Sequence, residues 1–498
     1  MKKYLLSSTI VLMSSAPLLA EDAGVGLTSL LSVLGGQNVS VEPSWTNYTN
    51  YNGSEIYENL SVKVEESDFF VGKAEIKPTS SDAFLYKMEN IVSRGYDEEV
   101  TMDMLILSVN PSELSNFLNG LDTISTEGFN CVDYSSSSRL QAVNINMVSS
   151  SDNVNTGLID ISLTPVSDGG SCMLDASYNL QDISVGVDDF IINVGSISGN
   201  TYSSADYNIP SSKLSRDLNG SFLLKDLSFM NDSNYIFGGV QSIETNGITI
   251  SDSMMRLGAS KINLLINEVY SQEQIDNYDI DPNFPFNVLS NPEVDLAEIW
   301  NGFKEISGNS NLRVSNAYVS KDALSNEGIP IPQYLMNAPG EYIVFSSNLD
   351  FVKSNGDLTI GFGISAPYIA AFDFGIGLGM GEVTSVPTNP QMALMTLPIG
   401  IKSFSSSFKD EGLDSILAEV TGKGISDNVE YIIGNPIANM LPSNSQMIMD
   451  WISSGLDGSK ASFSMNSDNS IPFMMLIPIA MGDWRNATSI FTVQSSIK

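Results

Sequence analysis

Residues 372–382 read Phe-Asp-Phe-Gly-Ile-Gly-Leu-Gly-Met-Gly-Glu, FDFGIGLGMGE. Phe372, Phe374, Ile376, Leu378 and Met380 take every second position, and Asp373, Gly375, Gly377, Gly379 and Gly381 fill the gaps. A period of two marks a strand, because successive side chains of an extended chain point to opposite faces. A phosphate-cradling loop would need Gly-x-Gly-x-x-Gly ahead of a helix, but Met380 stands where the last glycine should be and EVTSVPTNP continues as loop. Asp373 and the interior glycines disfavour a membrane helix. The stretch predicts a strand with five large apolar side chains on one face and a bare opposite face. Glycine in a strand often marks close approach of another surface, so a second sheet layer or an apolar chain is expected against the bare side.

The same alternation runs through much of the chain. Ile161–Thr164 (ISLT), Asp182–Val187 (DISVGV) and Asp189–Val194 (DFIINV) show it, and Asn52-Gly53, Asn246-Gly247 and Asn355-Gly356 suit hairpin turns that need positive φ. A looser repeat emerges at Glu58 (ENLSVKVEESDFFVGKAEI), Gln181 (QDISVGVDDFIINVGSI), Lys225 (KDLSFMNDSNYIFGGVQSI) and Asn246 (NGITISDSMMRLGASKI). Each unit has a polar or Gly start, a short alternating run, a turn and a second run, with Gly72, Gly195, Gly238 and Gly258 at equivalent places. Units of about twenty residues fit hairpins, and their unequal spacing argues against a solenoid. The expected fold is mainly β with minor α: an elongated antiparallel meander of β-hairpins with a small helical insert near the C-terminus.

Helical spacing is rarer. Gly26–Gly36 reads as a short helix closed by glycine, Pro111–Gly120 carries helix-start signals, and Val294–Ile306 has apolar residues on one helical face. Residues 411–458 read as three short helices between flanking strands. The organisation expected is a signal peptide over 1–20, a hairpin-rich region over 21–270, an acidic connector with helix over 271–330, and a C-terminal β region over 331–498 holding the insert 411–458.

The leader MKKYLLSSTIVLMSSAPLLA has a basic start, an apolar stretch and a cleavage position after Ala20, which predicts export to the periplasm or the medium. In an oxidising compartment Cys131 and Cys172 are expected to form one disulfide, closing a 42-residue loop. The chain-entropy model assigns such a loop about 4 kcal/mol. Loss of Lys2 and Lys3 with the leader takes the basic residues from 23 to 21 against 58 acidic ones, a net charge near −37. That charge disfavours nucleic acid and anionic lipid headgroups and can attract Ca²⁺ weakly at the surface.

Histidine is absent, which removes Ser-His-Asp and Cys-His catalysis and every His-ligated metal site. Ser406-x-x-Lys409 with Ser426-Asp427-Asn428 matches two motifs of penicillin-binding proteins, but no Lys-Thr-Gly follows and Ser406 sits in a strand-like run. Asp279-x-Asp281-x-Asn283 spaces oxygen ligands as a Ca²⁺ loop does, yet Phe284 replaces the required glycine. Paired acids such as Glu65-Glu66, Glu98-Glu99 and Asp188-Asp189 fall where turns are expected. The apolar run 471–484 is too short for a membrane helix and is interrupted by Pro472 and Pro478. No catalytic residue, cofactor site, metal site or transmembrane span is expected in the mature chain.

The units Φ-Ser-Φ…Φ-x-Φ-Gly (Φ apolar), and FSSSFKDEGLDSILAEV with its following helices and closing strand, resemble YdgA-like and AsmA-like exported envelope proteins of proteobacteria. The resemblance covers about half the chain. It implies elongated antiparallel sheets, in some members with an apolar groove linked to lipid handling or envelope maintenance, and it carries no catalytic residue. The expectation is a non-enzymatic envelope protein binding lipid or another apolar ligand. A structural or adhesive scaffold binding another protein is the alternative, and a carboxylate-only hydrolase ranks behind both.

Overall fold

The computed structural model describes residues 23–34, 41–64, 67–80, 82–95, 98–113, 136–149, 152–168, 171–187, 189–204, 217–231, 233, 235–246, 250–251, 308–354, 356–381, 398–426, 445–472 and 492–497. Two compact units divide the chain: residues 1–209 with 219–239, and residues 210–218 with 240–498. Both are built from antiparallel strands, mostly joined as hairpins, so the chain is mainly β. Among the described residues no helix is long and apolar enough to cross a membrane.

In the first unit α1 (Val25–Leu34) precedes β1 (Val41–Ser44), β2 (Asn47–Tyr51), β3 (Ser54–Val64), β4 (Ser67–Pro78), β5 (Phe84–Arg94), β6 (Glu98–Val109), β7 (Ser138–Ser149), β8 (Asp152–Asp168), β9 (Ser171–Val187) and β10 (Phe190–Ser204). Most of β11 (Asp217–Asn231) and the start of β12 (Ile236–Asn246) complete it. From β3 to β11 each strand pairs with the next in sequence. The Asn52-Gly53 joint has φ of 52° and 80°, as a primed hairpin turn requires. Three of the sequence repeats are hairpins, β3–β4, β9–β10 and β11–β12; most of the fourth, from Asn246, lies outside the described residues.

Within these strands the alternation slips by one residue. On β3, Glu55 and Tyr57 are buried, then Leu60 and Val62; on β5, Phe84, Tyr86 and Met88, then Ile91. At the slip stands an Asn or Asp in left-handed backbone: Asn59, Asn90, Asn144, Asp182 and Asp226, with φ between 52° and 54°. Short polar side chains tolerate that region, where most L-residues lose about 1–2 kcal/mol. The register places the slips in one transverse line, with Gly72, Asp103, Gly157 and Gly195 on the intervening strands. A Cβ on Gly72 would lie 3.1 Å from Cβ of Asn90, and one on Gly195 would lie 3.0 Å from Cβ of Asp226. Asn144 donates to Asp103 at 2.7 Å. Neighbouring strands slip together, so pairing continues unshifted and one face stays apolar on both sides of the line. Asn90→Val is expected to lower stability by about 2 kcal/mol and Asn90→Gly by less than about 0.5 kcal/mol, read from urea unfolding midpoints.

The second unit holds the rest of β12, then β13 (Ile250–Ser251), β14 (Gly308–Ser320), α2 (Lys321–Asn326), α3 (Gln333–Asn337), β15 (Tyr342–Ser354), β16 (Asp357–Ala366), β17 (Ala370–Met380) and β18 (Ile399–Asp410). Next come α4 (Leu413–Thr421), α5 (Ser445–Leu456), β19 (Ala461–Pro472) and β20 (Thr492–Ile497). β14 to β20 pair in sequence order, and α4 and α5 form the helical insert between β18 and β19. Asp410 ends β18 and starts α4: its Oδ1 accepts from the backbone of Gly412 at 2.9 Å and Leu413 at 2.6 Å. Gly422 closes α4 at φ 79°. The expected helix over 294–306 and the acidic stretch from Ile275 lie outside the described residues.

Candidate functional site: an apolar sheet face

Away from the line of slips the register of the first unit sets strand residues beside their neighbours, and the apolar ones line up across strands. One row, from β3 to β11, is Tyr57, Ala74, Met88, Leu105, Ala142, Ile159, Leu180, Ile197 and Leu224. The next, across the line of slips, is Leu60, Val71, Ile91, Met102, Ile145, Thr156, Ile183, Val194 and Leu227. A third runs from Val62 through Val100, Met147, Val185 and Ile192 to Phe229. Every Lys and Arg of β3–β11 (Lys63, Lys73, Lys77, Lys87, Arg94, Arg139 and Lys225) falls on the other face. That face also carries runs of small polar residues, such as Asn146, Asn155, Ser184, Asn193 and Ser228. A shallow depression of about 420 Å³ there is lined by Ser108, Arg139, Gln141 and Ser162 among others. The Arg139 guanidinium in it is engaged by Asp160 at 2.9 and 2.7 Å.

The apolar face has two regimes. Over β3–β5, α1 sets Leu27, Leu30 and Leu31 into a core with Tyr57, Leu60, Val71, Ala74, Ile76, Phe84 and Tyr86. The helix is held at its start by Glu55, a carboxylate only 5 % exposed. Its oxygens accept from the backbone of Gly26 at 2.8 Å and Leu27 at 3.1 Å and from the Tyr57 hydroxyl at 3.1 Å. Gly24 N–H donates to the Tyr57 hydroxyl at 2.8 Å, and the Tyr86 hydroxyl donates to the Gly26 carbonyl at 3.1 Å. Burial first, and the Glu55 charge second, push the Tyr86 hydroxyl far above its ordinary range; burial does most of the same for Tyr57. Over β7–β11 the rows stay half-buried, apart from buried Ala142, Thr156 and Val194.

In the second unit the stretch read first is a strand, β17. Phe372 lies between Ile364 and Phe408, Phe374 between Phe362 and Ser406, Ile376 between Ile360 and Phe404, and Leu378 between Leu358 and Ile401. Met380 is buried at the strand end. On the glycine side, at Gly375 and Gly377, the nearest side-chain atoms come from β18. A Cβ on Gly375 would meet Oγ of Ser405 at 2.6 Å, and one on Gly377 would meet Ser403 Oγ. Hydroxyls of the adjacent strand supply the nearest atoms there.

Helix α5 covers one end of this apolar face, packing Ile452 on Phe463 with Phe404, Met447, Trp451, Leu456 and Met465 around them. Gly455 permits the approach, since a Cβ there would lie 2.6 Å from the Phe408 ring. At the other end Leu312, Leu349, Phe362 and Ile364 are 39–44 % exposed on adjacent strands.

Among the described residues the polar candidates are not brought together. Ser406 and Lys409 are three residues apart on β18, so they face opposite sides of the sheet; Lys409 pairs with Glu411 at 2.6 Å. Ser426 donates to Asp414. Burial alone would raise the Asp373 carboxyl, but the Ser407 hydroxyl and Lys460, at 2.7 and 3.0 Å, hold it below the usual range. Asp279, Asp281, Asn283 and most of the run 471–484 lie outside the described residues, as does Cys131. Cys172 stands near the start of β9, opposite Ser167. Sequence reasoning missed Glu55 and the transverse rows. No family model, curated protein or solved structure matches the chain.

Proposed function

We propose that this chain is a non-enzymatic exported envelope protein that binds or carries lipid or another apolar ligand on the apolar face of its sheets. What carries the reading is the three rows that continue past α1 across β7–β11. Among the described residues nothing covers β7–β11 as fully as α1 covers β3–β5, although burying each large aliphatic side chain contributes about 1.5–3 kcal/mol. The face bears no basic side chain on β3–β11, which suits the hydrocarbon part of a ligand. The leader supports a location in the periplasm or the medium. Extraction of the purified protein with apolar solvent, followed by mass spectrometry, is expected to release lipid in near-stoichiometric amount. Protein free of lipid that also fails to take up a fluorescent acyl probe would overturn the reading.

A structural or adhesive scaffold is the second reading, favoured by the exposed Leu312, Leu349, Phe362 and Ile364, a patch of the kind that docks proteins. The disulfide Cys131–Cys172 belongs to the same proposal. Thiol titration of the denatured, unreduced protein is expected to find no free thiol, and reduction to lower stability by about 2–4 kcal/mol.

A further inference from the structure

Strand β20 ends the strand series of the second unit, and among the described residues it pairs only with β19. Thr492, Gln494, Ser495, Ser496 and Ile497 are all exposed, so every second residue directs an N–H and a C=O away from β19 with no neighbouring strand among the described residues. Natural edges are usually blunted by charge, proline or irregularity. The first unit does this: β1 carries Glu42 and Pro43, and the pairing to β3 breaks at Trp45–Thr46. β20, reading TVQSSI, has none of these devices.

We infer that β20 pairs antiparallel with β20 of a second copy of this chain, about a two-fold axis at Ser495. The sequence is self-complementary in that register. Val493 stands opposite Ile497 of the second copy, Gln494 opposite Ser496, and Ser495 opposite itself, so apolar positions meet apolar ones and small polar ones meet each other. Charge selects the same place. With 58 acidic residues against 23 basic ones, most contacts between two copies bring like charges together, and an uncharged edge avoids that penalty.

Sedimentation velocity of the full mature chain over a concentration series tests this. The wild type is expected to show a monomer–dimer equilibrium, Ser495→Thr to keep it, and Ser495→Asp, which sets two carboxylates opposite each other at the axis, to weaken it at least ~10-fold. Ser495 is exposed at the strand edge, and unchanged melting curves will show that both variants fold. A wild type that stays monomeric throughout overturns the proposal. So does a dimer that Ser495→Asp leaves intact, since that dimer forms through another surface.

Discussion

Glu55→Ala is expected to lower the stability of the first unit by about 3–5 kcal/mol and to expose the apolar surface beneath α1. The carboxylate satisfies three donors at once: the Gly26 and Leu27 backbone N–H groups and the Tyr57 hydroxyl. The first two belong to the opening turn of α1, whose N–H groups have no partner within the helix. Alanine leaves them in a core closed by Leu27 and Tyr57, which are 1 % and 0 % exposed, so water cannot take the carboxylate's place without unpacking that core. The charge itself adds to the attraction, since the N-terminal end of a helix carries partial positive charge. Glu55→Gln keeps one acceptor oxygen and should lose less, about 1–2 kcal/mol. The measurement is the urea midpoint together with binding of an apolar dye: Glu55→Ala should bind more dye below its midpoint, because release of α1 uncovers Leu60, Val71 and Ile76. A midpoint within about 0.5 kcal/mol of wild type would mean that hydrophobic contacts alone hold the helix.

Features that repeat locally could be read from the sequence. The alternation from Phe372 identifies β17, and Asn52-Gly53 and Asn355-Gly356 mark joints between strands that pair as expected. The units at Glu58, Gln181 and Lys225 are hairpins. Hidden inside those units was the slip. Asn59, Asp182 and Asp226 each follow a polar residue and precede Leu or Ile, so they read as the polar start of a strand, whereas each is the left-handed residue in the middle of a longer one. A slip and a strand start look alike along one chain. Only the partner strand, with Gly72, Gly157 or Gly195 opposite, tells them apart. Glu55 was illegible for a related reason: two of its three partners lie 28 and 29 residues away and are backbone groups, which carry no residue-type signature. The rows needed register, which fixes who stands beside whom and which periodicity alone does not contain. At Gly375 and Gly377 the sequence posed the right question, but the answer lay on β18, where Ser403 and Ser405 fall beside the glycines.

Ile183→Asp is expected to weaken acyl-probe binding to the first unit by ~30-fold or more, while Ser184→Asp on the same strand changes it by less than ~2-fold. Both add one carboxylate to β9, so net charge cannot separate them; only the face differs. Ile183 lies between Thr156 and Val194 in the middle apolar row, whereas Ser184 lies between Asn155 and Asn193 on the polar side. A carboxylate at 183 would be desolvated by any hydrocarbon laid along the row, and it has no cation on that face to pair with. In the free protein it stays partly hydrated, because Ile183 is half-buried, so the cost falls mainly on the complex. Phe362→Asp makes the same comparison in the second unit, where the side chain is 40 % exposed. Loss of probe from each variant separately, and complete loss from the pair, would assign binding to both apolar faces. Unchanged binding in Ile183→Asp and Phe362→Asp, with melting curves like the wild type, would remove these faces as the ligand site and leave the scaffold reading in possession of the exposed patch on β14–β16.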